Sequence, residues 1–251
     1  MEVNSTIRNR FAITFDIEWA PDEILLDLLN LLSRYSISVT SFATHQTPVL
    51  KEIKKVHEVG LHPNFNPLFD HNDRLTSYQI LEEIKTWYPD AVGVRSHSRT
   101  VSATLVSQFI SMGLQYDANQ ICPYQKGLLP YTYRNFCRFT DFWQDDVHAI
   151  YRRPFALDNI PIDSEGVKIF NFHPIHIYLN TDTIERYQAA RPHYQDSRKL
   201  LEFRNTKAKG VRDLLIELLN YLKDHRIQTY TLKEIAFDFL SEKEGENQSH
   251  D

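Results

Sequence analysis

Asp16 and Glu18 are two carboxylates spaced two residues apart, at the end of the apolar run Phe11, Ala12, Ile13, Thr14 and Phe15. The run reads as a short strand buried on both faces, and in an extended chain residues two apart face the same way. Two acids at such an exit are costly unless they are solvated, paired or bound to a metal, so a metal or a proton between them is one reading. An N-cap followed by a surface acid is the other. Further polar residues recur at the exits of later apolar segments: His45, then His62 with Asn64 and Asn66, then Arg95 with His97, Asp117 with Asn119, and His173 with His176. Taken singly, His45 reads as a helix cap and His176 as a solvent-facing side chain. Carboxylate plus imidazole is the ligand chemistry of zinc and related divalent ions, and a catalytic site leaves one position open for water.

The elements that must position these residues alternate. A helix is predicted from Pro21 and Asp22 over Ile24, Leu25, Leu28, Leu29, Leu31, Leu32 and Tyr35, then a strand over 38–44. A second helix follows, with Thr47 as N-cap, Pro48 at its first position, Val49 to Val56 on its apolar face and Gly60 as its stop. A short strand over 61–65 precedes a polar loop to Arg74, and Thr76 with Gln79 has the spacing of a capping box for a third helix. Strands at 91–95 and from 114 flank a helix over 102–112 that Gly113 closes. Strand-like pieces at 138–142 and 168–178 follow, residues 181–209 hold a short amphipathic piece and a charged polar stretch with no assigned place, and Val211 to Leu222 form a strongly amphipathic helix. A strand over 227–230 and a last short helix opened by Thr231 and Glu234 complete the pattern. Such alternation predicts parallel strands with helical crossovers, in either a doubly wound sheet or a barrel, with function gathered at the carboxyl ends of the strands.

A chain of 251 residues with 42% hydrophobic and 24% charged residues belongs to the ordinary globular class, and a net charge of -5 gives no footprint for nucleic acid. No apolar run reaches the length of a membrane span and the first ten residues lack an apolar signal segment, so a cytoplasmic protein is expected. Cys122 and Cys137 lack metal-ligand spacing and read as small buried residues. Residues 1–10 are expected to be an extension, 11–240 the catalytic domain and 241–251 a disordered acidic tail.

TFDIEW, GLHPNFNP, GVRSHS and FNFHPIH, in that order, resemble the successive motifs of the polysaccharide deacetylase family, the NodB-homology or carbohydrate esterase family 4 domain. The resemblance is strongest to its branch associated with lipopolysaccharide and capsule biosynthesis, the WalW and WbmS type. It implies an α/β fold, a distorted (β/α) barrel of about seven strands. It also implies a divalent metal, usually zinc, that promotes removal of an N-acetyl or similar acyl group from a sugar. Asp16 falls at the family's catalytic base. The usual metal-binding acid directly after it is replaced by Ile17, and Glu18 fits a D-x-D/E variant. His62 matches the first histidine of the family's HxxxH metal motif, whereas the second position holds Asn66, a weaker ligand. Arg95 matches the arginine that orients the base.

His97, two residues on, supplies a replacement ligand, so Glu18, His62 and His97 form the expected site. Amide oxygens of Asn64 or Asn66, or Asp16 itself, are the open alternatives. His173 corresponds to the histidine of the late motif, the general acid, with His176 as the second candidate. Asp145 or Asp141, in TDFWQDDVH, resembles the family's aspartate that tunes that acid. Trp19, Trp143 and Tyr178, with Phe65 and Phe142, lie near the motifs as platforms for a sugar face, although core packing is the simpler role for each. The expected partner is an N-acylated sugar, a nucleotide-sugar or a lipid-linked saccharide. Two other functions are consistent with the residues: a C–N hydrolase acting on a cyclic imide, ureide or formamide, and a glycan-binding or assembly protein that has lost full metal binding, which Asn66 favours.

Overall fold

The computed structural model of the protein describes residues 7, 9–53, 57–69 and 75–248. Its strands are β1 (Phe11–Asp16), β2 (Val39–Ala43), β3 (Glu58–Leu61), β4 (Gly93–Val94), β5 (Tyr116–Ile121), β6 (Tyr131–Tyr133), β7 (Phe136–Asp141), β8 (Trp143–Gln144) and β9 (Lys168–Phe172). They form one sheet in the order β6-β7-β5-β4-β3-β2-β1-β9-β8, parallel throughout except for the β6–β7 pair. β7 lies next to one edge of that order and β8 forms the other edge, yet Phe142 alone separates them in the chain. The sheet must therefore curl until its edges meet, and Phe142 N donates to Ile169 O at 3.0 Å across the seam. With β7 and β8 taken as one path, seven parallel strands run round the ring and β6 hangs outside it. This is the expected distorted barrel, drawn as nine strand segments.

Alternation along β1 sorts its residues. Ala12 packs inside with Phe42, Tyr116, Ala118, Phe139 and Ile169, and Thr14 and Asp16 share that inner face. Ile13 and Phe15 point outward against α1 (Asp22–Leu32) and the later helix that carries Leu214, Leu215, Leu218, Leu219 and Leu222. Burying each such leucine contributes about 1.5–3 kcal/mol relative to exposure.

The remaining helices are α2 (Pro48–Ile53), α3 (Ser77–Trp87), α4 (Ala103–Ser111), α5 (Asp145–Ile150), α6 (Pro174–Leu179), α7 (Ile184–Ala190), α8 (Ser197–Leu201), α9 (Val211–Asp224) and α10 (Leu232–Gln248). Their starts follow the sequence signals: Thr47 Oγ1 accepts from Val49 N at 3.1 Å, Thr76 and Gln79 form a reciprocal capping box, and Ser102 caps α4. Leu232, Ile235, Ala236 and Phe239 of α10 join the inner cluster. Leu232 N donates to Thr40 Oγ1 and Lys233 N to Glu58 Oε2, both at 2.9 Å, so α10 closes the end of the barrel where β2 and β3 begin. The opposite end is left for chemistry.

Several expected elements differ. Gly60 does not stop α2 but lies inside β3, because a Cβ there would fall 2.7 Å from the Phe42 ring. The piece over 168–178 is a strand only to Phe172, since Pro174 is pre-set for the first turn of a helix and α6 begins there. Residues 227–230 make only an isolated bridge, Phe11 to Thr229. The helix opened by Thr231 and Glu234 runs to Gln248, well into the tail expected to be disordered. Ile7, assigned to an extension, is fully buried, and Arg10 pairs with Asp238 at 2.7 Å. Cys137 is buried as expected, but Cys122 is exposed. Val56 and the loop end at Arg74 lie outside the described residues.

Candidate active site

The turn after β1 brings Glu18 over the barrel mouth. Ala20 N donates to Ile17 O at 2.8 Å, and the two residues between them, Glu18 and Trp19, both have positive φ, 46° and 56°. Neither is a glycine, and a conformer of this kind costs about 1–3 kcal/mol, which the surroundings must offset. Its result is convergence. Glu18 Oε1 lies 2.9 Å from His62 Nε2, presented just after β3, and 2.9 Å from His97 Nδ1, presented after β4. Burial alone would raise the Glu18 carboxyl, but hydrogen bonds from His62 and His97 hold it well below the usual carboxylate range. One ligand atom from each of the three lies within 4.8 Å of the others. Among the described residues the buried His62 Nδ1 has no hydrogen-bond partner. One carboxylate and two imidazoles converging on one point fit the donor chemistry of zinc.

Beneath this cluster lies a buried charged lattice. Arg95, fully buried over the Phe42 ring at 4.3 Å, donates through Nη1 to Thr14 Oγ1 (2.8 Å), Asp16 Oδ1 (3.0 Å) and Asn171 Oδ1 (2.7 Å), and through Nη2 to Asp141 Oδ1 (2.8 Å). Asn171 Nδ2 donates to Asp16 Oδ2 at 2.7 Å. Arg99 Nη2 donates to Asp141 Oδ2 at 2.6 Å and also meets Gln144 Oε1. Burial opposes ionisation of Asp16, yet Arg95, with His62, Arg99 and His173 around it, holds its carboxyl far below the usual range. Asp16 is therefore a fixed anion, aimed by Arg95 and Asn171.

On its other side stands an imidazole built to carry a proton. The Asp145 carboxylate accepts from His173 N at 2.7 Å and from His173 Nδ1 at 2.6 Å. Burial disfavours the imidazolium, but Asp145, with Asp146 and Asp16 beyond it, pushes His173 up to about 10. His173 Nε2 points towards Asp16 Oδ2, 3.9 Å away. His176, one turn along α6, sits edge-on to His173 with Nδ1 3.1 Å from Thr181 Oγ1, and burial lowers its pKa.

Asp16, Glu18, His62, His97, His173 and His176 all line one cleft of about 230 Å³, closed on one side by Ile184 and Tyr187 of α7. Larger hollows of about 460 and 620 Å³ lie beneath the barrel and beside Arg152–Ala156, away from this chemistry. Arg95 and Asp145 lie just behind the cleft.

The other candidates lie elsewhere. Asn64 Oδ1 accepts from Asn66 N at 3.0 Å, and Asn66 Nδ2 turns to Ser98 Oγ at 3.2 Å, so neither lines the cleft. His45 Nδ1 meets Thr44 Oγ1 at 3.0 Å, outside the cleft. Trp143 is fully buried in the core with its Nε1 donating to His148 Nδ1, so it cannot stack on a sugar. Tyr178, Phe65 and Phe142 are buried likewise, the Tyr178 hydroxyl donating to Ser197 O. Trp19, 37% exposed and edge-on to His97 at 5.2 Å, is the sequence-predicted aromatic that remains free beside the cluster.

Sequence reading missed Thr14, Arg99, Asn171 and Tyr187. Asn171 left a signal, an amide at the centre of the aromatic strand Phe170–Phe172 and two residues before His173.

The sequence profile of the WbmS-like polysaccharide deacetylases matches residues 13–191. No curated protein matches the chain. Among solved structures, a polysaccharide deacetylase-like protein of Bordetella bronchiseptica, described as involved in O-antigen biosynthesis, is 35% identical, with a TM-score of 0.80 over 85% of this chain and 91% of its own. A polysaccharide deacetylase-like protein from Mycobacterium smegmatis (15% identity, TM-score 0.60, 96% of this chain and 94% of its own) shares the fold. So does a variant of the peptidoglycan deacetylase PdaC of Bacillus subtilis (15% identity, TM-score 0.53, 99% of this chain and 98% of its own). The chain thus belongs to the WbmS-like polysaccharide deacetylase family, and is a hydrolytic deacetylase of that family.

Proposed function

We propose that the protein removes an N-linked acyl group from a sugar during assembly of a surface polysaccharide, using a divalent cation, best zinc, held by Glu18, His62 and His97. The observation that carries the reading is the position of Asp16, with Oδ1 3.8 Å from His62 Nδ1 and Oδ2 3.9 Å from His173 Nε2, between the ligand cluster and a protonated imidazole. A cation bound there supplies Lewis acidity and a water of lowered pKa. Asp16, kept ionised by Arg95, accepts the proton of the attacking water. Water adds to the acyl carbon, the carbon–nitrogen bond breaks, and the acyl group leaves as a carboxylate. His173, held protonated by Asp145, delivers its proton to the departing nitrogen, which leaves as an amine. Asn171 and Arg95 keep the carboxylate aimed throughout.

A cleft of about 230 Å³ suits one sugar ring with its acyl arm, leaving a nucleotide or lipid carrier outside. The O-antigen description of the Bordetella relative supports a surface-polysaccharide substrate. The position of Asn66, turned away to Ser98 while His97 occupies the cluster, weakens the binding-only reading. Acetate release from a panel of N-acetylated nucleotide-sugars and lipid-linked saccharides, with zinc-loaded protein and an Asp16→Asn control, tests the proposal. Release from at least one donor, absent in the control, is expected; silence on all of them overturns it.

A further inference from the structure

The left-handed turn at Glu18 and Trp19 is held from outside by three hydrogen bonds. Trp19 N donates to Thr44 Oγ1 at 2.9 Å, at the end of β2. The other two come from the segment following α7, which sequence pattern left unassigned: Tyr194 Oη donates to Glu18 O at 2.7 Å and Gln195 Nε2 to Trp19 O at 3.2 Å. The Tyr194 ring packs against the hydrophobic cluster that includes Ile17 and Ala20, so its hydroxyl is delivered on a fixed support. Two successive non-glycine residues at positive φ persist only where neighbours over-determine them. Here the carbonyls of both strained residues are tied to the same distant segment.

We infer that Tyr194, with Gln195 beside it, is a positioning residue for the cation: it fixes the backbone of Glu18 and so the aim of Glu18 Oε1 at the point shared with His62 and His97. The inference rests on the reading that those three side chains hold a divalent ion. It gives the 184–195 segment two roles, since Ile184 and Tyr187 wall the cleft while Tyr194 and Gln195 clamp the ligand turn.

The test is zinc affinity by chelator competition on the full chain, with the cobalt(II) absorption spectrum as a second readout. Tyr194→Phe is expected to weaken zinc binding about ten- to a hundredfold, the range for residues that orient ligands, and to alter the cobalt spectrum while circular dichroism is unchanged. Gln195→Ala, an exposed position, keeps the test open should Tyr194→Phe fold poorly, and is expected to weaken zinc binding by about twofold to fivefold, on the scale of one exposed hydrogen bond. Trp19→Gly removes the strain at position 19 and leaves that of Glu18, so adding Tyr194→Phe to it is expected to cost less than in the wild type. Wild-type zinc affinity in both Tyr194→Phe and Gln195→Ala overturns the inference and leaves the cation reading standing. An equal loss from Tyr194→Phe with and without Trp19→Gly overturns it too, by showing that the hydroxyl does not act through the turn. Failure of the wild type to bind zinc or cobalt overturns both.

Discussion

His173 Nε2 stands 3.9 Å from Asp16 Oδ2, too far for a hydrogen bond and near enough for each charge to stabilise the other. The pair sets the expected pH behaviour. His173 is protonated at neutral pH, its pKa pushed up to about 10, so the rate falls on the alkaline side as that proton is lost. Asp145→Asn removes the interaction that opposes burial, and the alkaline limb is expected to move down by at least about two pH units in a pH–rate profile. Stability follows the same sign. The His173 contribution is complete below the ordinary histidine pKa and disappears as pH rises through about 10. The gap in urea stability between wild type and Asp145→Asn should therefore narrow above that pH. Asp16 acts in reverse, its contribution present above the usual carboxylate range and lost only in strong acid.

On the proposed cation site, replacement of His97 should be far costlier than replacement of Asn66. His97→Ala is expected to lower zinc affinity by at least about a hundredfold, beyond the range for orienting residues, whereas Asn66→Ala should stay within about threefold. Elemental analysis after chelation and reconstitution checks both, and equal losses would return Asn66 to the ligand set.

Asp141 accepts from two guanidinium groups at once, Arg95 at 2.8 Å and Arg99 at 2.6 Å, and is fully buried. Asp141→Asn leaves buried positive charge uncompensated and is expected to cost about 3–5 kcal/mol in urea unfolding. Because Arg95 also aims Asp16, kcat should fall more than KM rises.

Gly60 and the active site are joined by one aromatic ring. A methyl group at Gly60 falls 2.7 Å from Phe42, whose ring carries the Arg95 guanidinium at 4.3 Å. Gly60→Ala is expected to cost about 1–3 kcal/mol in thermal unfolding and to reduce activity without changing zinc content.

Much of the site was legible because its residues sit where short apolar runs end, and the fold collects those ends. Alternation set Asp16 and Glu18 on one side of the strand end, and the same two-residue spacing from Arg95 led to His97. Glu18 converges on the cluster for a different reason from the one supposed: it is not on extended chain but on a left-handed turn that no local residue type announces. Trp143 took the simpler of its two roles, since an aromatic beside a motif looks alike whether it faces the cleft or, as here, the core. Gly60 read as a helix stop because a glycine's sequence context does not reveal the Phe42 ring that comes to lie against it. Thr14 and Arg99 have side chains common on any surface, and only the closed ring shows that they hold a buried charge.

That ring is sealed by a nine-residue stretch, 136–144, which pairs with β5 at its start and with β9 at its end. Asp141 lies within it and Asp145 directly follows it, so the anchor of Arg95 and the partner of His173 reach their places only as the seam closes. The ring is complete only when β9 also pairs with β1, setting Phe11 opposite Lys168 from the far end of the chain, and a loop that long is costly in entropy and slow to close. A chain refolding from denaturant should therefore gain helix well before it gains turnover, and recovered activity should coincide with the slowest folding phase.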